Sequence, residues 1–160
     1  TPAHTEHYEG FYYLRKLSGT PEKALMAYSL RDHDRHLLEA RKQTLRHIAQ
    51  TLNERYGADT VRLELTDRYR NMADIIREHS HLIDSAKLAM ARVGIEPVIH
   101  PMRGGTDGAT LSYNGLPCPN LGTGGYAYHG ALELITAEGM EQCTRLVVEL
   151  VRHYAQKRQA

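Results

Sequence analysis

ALMAYSLRDHDRHLLEARKQTLRHIAQTLNERYG, residues 24–57, changes its hydrophobic period once, and that change decides the fold class. In the first eight residues Met26, Tyr28 and Leu30 share one face of an extended chain, which predicts a strand over 24–31. After the turn Asp32-His33-Asp34 the period lengthens: Leu38, Leu45, Ile48, Ala49, Leu52 and Tyr56 keep helical spacing. Asp34 is the candidate N-cap of a helix over 35–56, and Gly57 is its stop. Beyond it Val61, Leu63 and Leu65 alternate with Arg62, Glu64 and Thr66, the pattern of a half-buried strand. Strand, helix and strand in succession predict a mixed layer of helix on sheet.

Outward from this core the character changes over 71–78, and a boundary is expected near residue 73. The next helix carries Leu82, Ile83, Ala86, Met90 and Val93 on one face and closes at Gly94. A short strand at 97–100, a small helix near 106–114 and a strand or turn at 118–122 follow. The last helix has the clearest stripe, with Cys143, Leu146, Val147, Leu150, Val151 and Tyr154 at i, i+3, i+4, i+7, i+8 and i+11. The expected strands number four, two on each side of the boundary, too few to complete a sheet on either side. The halves must pair with each other, or another chain must supply strands.

Composition narrows the function. The chain has 160 residues, 41% hydrophobic and 24% charged, as in a folded soluble domain. A net charge of +1 provides no basic excess for nucleic acid or anionic membranes, and no apolar run reaches the roughly 20 residues of a bilayer span. No nucleic-acid or membrane partner is expected, and the default location is cytoplasmic. Cys118 and Cys143 form no CxxC or CxH spacing and are expected to be reduced. The chain starts at Thr1 without an initiator methionine, which suggests a piece of something longer.

Three stretches could carry chemistry. Arg103-Gly104-Gly105-Thr106-Asp107-Gly108 lies between a predicted strand and a predicted helix. Glycines there admit a close ligand, free N–H groups at a helix start attract anions, and an arginine can grip a carboxylate with two hydrogen bonds. It fits neither a P-loop nor a dinucleotide fingerprint. Its plainest reading is a glycine turn with Thr106 or Asp107 as a helix cap. His129, between Tyr128 and Gly130, is a loop imidazole able to reach a metal, although an isolated loop histidine is more often structural. Arg68-Tyr69-Arg70-Asn71-Met72 places polar side chains at the expected boundary, where substrate clefts form, or where a charged hinge would sit. No Ser-His-Asp or Cys-His arrangement can be assigned from spacing.

Taken together, PAHTE, EGFYYL, SLRDHDR, RYRNM, PMRGGTDGATLSYNGLPCPNLGTGGYAYHG and ITAEGM, in that order, resemble the carboxy-terminal part of the peptidase T family of tripeptide aminopeptidases. These are co-catalytic zinc peptidases, related to carboxypeptidase G and succinyl-diaminopimelate desuccinylase. The resemblance covers nearly all of the chain and is most specific over Pro101–Gly130. It implies a partial two-domain zinc-peptidase architecture of α/β class. Residues 1–73 would be the later part of an α+β lid, which in many members mediates dimerisation, and 74–160 the carboxy-terminal part of an α/β catalytic domain.

The same resemblance implies the site. His129 matches the last zinc ligand; Arg103, Gly104 and Gly105 match the segment that approaches the substrate's carboxylate end, and Asn71 matches a lid position that contacts substrate. Thr106 and Gly125 line the same cleft by analogy. The complete enzyme would hold two zinc ions, but the HxD motif, the bridging aspartate, the paired glutamates with their general base and a further ligand would precede Thr1. No catalytic residue is therefore expected in this chain, and the isolated chain is expected to be inactive. Its expected partners are small peptides, the missing amino-terminal half and a second copy in a homodimer. The alternatives are a non-catalytic dimerisation or binding module derived from such a peptidase, and anion binding at the RGGTDG helix start alone.

Overall fold

The computed structural model describes residues 1–157, a mixed α/β chain that divides into two compact units. The first comprises Thr1–Asn71 with His100–Gly105; the second comprises Met72–Ile99 and the residues from Thr106 onward. The chain passes from one to the other inside RGGTDG.

In the first unit a 3-10 turn at Pro2–His4 leads to β1 (Phe11–Gly19) and β2 (Ala24–Arg31), an antiparallel pair joined by Thr20-Pro21-Glu22-Lys23. The register runs from Phe11 opposite Arg31 to Gly19 opposite Ala24, with a bulge between Leu14 and Lys16. The extra residue, Arg15, resets the alternation, so that Leu14 and Leu17 stand opposite Tyr28 and Met26 on one face. α1 (Arg35–Tyr56) lies against β2. Its start is fixed by Asp34, whose Oδ1 accepts the N–H groups of His36 at 2.7 Å and Leu37 at 3.0 Å. At its end Gly57 adopts φ 109°, where a side chain would be strained, and donates its N–H to the Asn53 carbonyl.

Strand β1 was not expected. Its bulge breaks the period-two pattern that reveals a strand, although Thr20-Pro21-Glu22-Lys23 between two apolar runs is a hairpin signal. The strand expected at 61–65 is not part of a sheet. The segment keeps its alternation, and the Asn53 side chain brackets its first residue, accepting the Val61 N–H at 2.7 Å and donating to the Val61 carbonyl at 2.9 Å. Among the described residues no strand lies beside it to form a ladder.

In the second unit α2 (Ala73–Glu78) and α3 (His81–Arg92) replace one expected helix, because His79 leaves helical geometry at φ −122° and ψ 41°. α4 is Asp107–Tyr113; β3 (Gly125–Tyr126) pairs antiparallel with β4 (Leu134–Ile135); α5 is Ala137–Lys157. α3 packs on α5, and Ala86, Ala89 and Leu146 are buried in those helices. Arg92 and Glu149 tie the pair at 3.0 Å. Of the stripe read on α5, Leu146 is buried and Cys143, Leu150 and Tyr154 are half-buried, whereas Val147 and Val151 face solvent. The strands expected at 97–100 and 118–122 are irregular segments.

Candidate functional site

The first unit gathers several of the motifs around Arg103. Its Nη1 donates to the Thr5 carbonyl at 2.6 Å, its Nη2 to the Thr5 hydroxyl, and its guanidinium lies over the Phe11 ring, 5.0 Å from the centroid. Phe11 is the buried aromatic at the head of β1. Beneath it Gly10 runs so close to Asp32 that no side chain would fit, and the Asp32 carboxylate, 1% exposed, accepts from Arg41 Nε at 2.9 Å. Tyr8 meets the His33 ring edge to face at 5.1 Å. Asn71 Nδ2 donates to the His33 carbonyl at 3.0 Å.

These contacts define what Arg103 can do. Two of its five N–H groups are spent on Thr5, which anchors the guanidinium plane, and Nε is buried without a partner among the described residues. With Nε shut off from solvent, capacity for an anionic oxygen rests on the remaining Nη N–H groups. The two following glycines differ. A Cβ at Gly105 would strike the Tyr69 ring, whereas one at Gly104 would meet nothing within 4 Å. Gly105 is therefore required so that RYRNM can close on RGG, and Gly104 leaves open space beside the arginine.

RGGTDG continues into the second unit as the start of α4. Thr106 holds the cap position in extended geometry but makes no capping side-chain bond; its hydroxyl accepts from Asn120 Nδ2 at 3.2 Å. Gly108 is pressed against the Cys118 carbonyl, and Ser112 donates to the Gly108 carbonyl at 2.7 Å while accepting the Cys118 N–H at 2.9 Å. This half of the motif is a packing device that seats α4 on the PCPN segment.

His129 belongs to the second unit, in the loop between β3 and β4. Residues 126–138 are all exposed, and the loop is held by local hydrogen bonds. Ala127 and His129 both take left-handed conformations, at φ 52° and 64°, costing about 1–3 kcal/mol each for residues with a Cβ. Gly130 N–H reaches the Ala127 carbonyl at 3.0 Å, and Tyr128 folds back to the Thr123 hydroxyl at 2.8 Å. The His129 N–H donates to Glu133 Oε2 at 2.9 Å. β4 runs directly into α5, whose first turn is held by the Thr136 hydroxyl accepting the Gly139 N–H at 3.0 Å. Of the residues read from the sequence, Asn71, Arg103, Gly104 and Gly105 thus fall in one unit and His129 in the other. Thr5 and Phe11 were given no part by the sequence, because their contacts with Arg103 join residues far apart in the chain.

The donor chemistry of His129 suits zinc, since the side chain is an exposed imidazole in a loop. The number of donors does not: among the described residues no three His, Cys, Asp or Glu side chains converge. No helix of the described residues is long and apolar enough to cross a membrane.

Comparison with known proteins accounts for this combination of motifs. The chain is 49% identical over 151 residues to peptidase T of Escherichia fergusonii, covering 94% of this chain and 37% of that protein. It is a homologue of peptidase T. Peptidase T of Caldanaerobacter subterraneus is 46% identical over 156 residues, 98% of this chain and 38% of its own length. Peptidase T of Photobacterium profundum is 47% identical over 159 residues, 99% and 39% respectively. The chain spans somewhat over a third of the length of these curated relatives. No family model matches it.

Proposed function

We propose that this chain is the carboxy-terminal part of a peptidase T-like, zinc-dependent tripeptide aminopeptidase. The observation that carries the reading is identity of 46–49% to peptidase T across nearly the whole chain, taken with a histidine, His129, that has no converging metal ligands among the described residues. Residues 1–73 serve as the later part of a lid and 74–160 as the carboxy-terminal part of the catalytic domain. With His129 as one ligand and the others outside this chain, bound zinc would supply Lewis-acid chemistry for activating water and polarising the scissile carbonyl. This chain supplies the His129 imidazole to that centre. Arg103, held flat by Thr5 and Phe11, receives the peptide's carboxylate. Gly104 and Gly105 give the peptide room to approach, and Asn71 meets it from the lid. The general base lies outside this chain, in a cytoplasmic enzyme whose substrates are small peptides.

Purified chain mixed with zinc and a tripeptide is expected to release no amino-terminal residue. A chimaera in which it replaces the segment it matches in the Escherichia fergusonii protein is expected to do so. Zinc-dependent release by the chain alone would refute the reading.

A second reading has an observation of its own. On one face of the β1–β2 hairpin Leu14, Leu17, Met26 and Tyr28 are 40–63% exposed, as suits a module that pairs with a second copy. It predicts a dimer by sedimentation and an inactive chimaera.

A further inference from the structure

The β3–β4 loop spends conformational energy without burying anything. Two residues with side chains stand in left-handed geometry, and every residue from 126 to 138 is exposed, so no core packing offsets the cost. What offsets it is a set of short-range bonds, and the one that acts on His129 comes from Glu133. Its Oε2 accepts the His129 N–H at 2.9 Å, while the Glu133 N–H is itself held by the Gly130 carbonyl at 3.1 Å. The carboxylate is thus tied to the turn it stabilises. A charged acceptor on a backbone N–H is roughly twice as strong as a neutral one.

We propose that Glu133 is a positioning residue. By holding the His129 backbone at φ 64° it sets the direction in which the imidazole leaves the loop, and it does so through the main-chain N–H rather than through a ring nitrogen. It acts through the His129 main chain and touches neither substrate nor metal. The proposal rests on His129 being the functional imidazole of this loop, and it gives a reason for the left-handed backbone at an exposed histidine.

The test uses the 160-residue chain, isotopically labelled, as wild type, Glu133→Ala and Glu133→Gln. Two quantities are read at His129: the one-bond Cα–Hα coupling, which separates positive from negative φ, and the amide exchange rate. Glu133→Ala is expected to lose the positive-φ coupling and to exchange at least about tenfold faster, with α5 amides unchanged as the control for folding. Glu133→Gln, whose amide oxygen accepts the same bond, is expected to retain the coupling. An unaltered coupling and exchange rate in Glu133→Ala would overturn the proposal. Failure of the ligand reading would show elsewhere, as activity of the chimaera indifferent to His129→Ala, with these couplings unaffected.

Discussion

Asp34 shows how much one residue can specify. Its carboxylate accepts the Leu37 and His36 N–H groups, and these bonds, that of Leu37 foremost, hold its pKa below the ordinary carboxylate value. A pKa lowered by folding means a contribution that is complete above the unfolded value of about 3.9 and fades as the pH falls below it, through the folded value. Asp34→Ala should therefore lower the thermal midpoint of the first unit by about 5 °C at pH 7 and by progressively less as the pH falls below about 3.9, measured by circular dichroism. The glycines of RGG separate in the same way. Gly105→Ala must displace the Tyr69 ring and should weaken peptide binding by the chimaera about tenfold or more, whereas Gly104→Ala, with nothing within 4 Å, should be tolerated in thermal stability. Asp34 could be read from the sequence because a cap depends on neighbours two and three residues away. Tyr69 against Gly105, or Thr5 beneath Arg103, could not, because those contacts join residues 36 and 98 positions apart.

Among the elements, those with a long uninterrupted period matched expectation. α1 and β2 have the bounds that the spacing and caps predict, and α5 contains its full stripe. The stripe nevertheless overstated burial: Leu146 is 3% exposed and Val151 63%. Leu146→Ala should cost about 2–5 kcal/mol in urea unfolding of the second unit, and Val151→Ala well under 1 kcal/mol, because only the first vacates packed space. β1 escaped because one bulged residue, Arg15, offsets its alternation. Val61, Leu63 and Leu65 show the opposite case, a strand pattern without a strand. Alternation records which face is apolar, but a strand exists only when another backbone supplies the ladder.

At the scale of the whole molecule the accessible surface is 12638 Å². Two separate compact domains of half its mass would expose about 9,700 Å² in total. The excess is near 3,000 Å², and exposed apolar side chains contribute to it, from Leu14, Leu17 and Met26 on the hairpin to Val147 and Val151 on α5. The strand shortage was legible in the sequence for the same reason that the surface is large: neither half contains enough strands to cover its own apolar faces. The chain is thus expected to bind a hydrophobic dye such as anilinonaphthalene sulfonate, and Leu17→Lys with Met26→Lys should reduce the fluorescence by about a third or more; no change would place the apolar surface elsewhere. The central claim is that this chain brings one zinc ligand and a substrate-carboxylate anchor to a centre whose other ligands it lacks. The most direct measurement is zinc-dependent tripeptide hydrolysis by the chain alone, by the chimaera with the Escherichia fergusonii protein, and by the same chimaera carrying His129→Ala. The account predicts activity only in the unsubstituted chimaera. Hydrolysis by the isolated chain, or full activity in the His129→Ala chimaera, would contradict it.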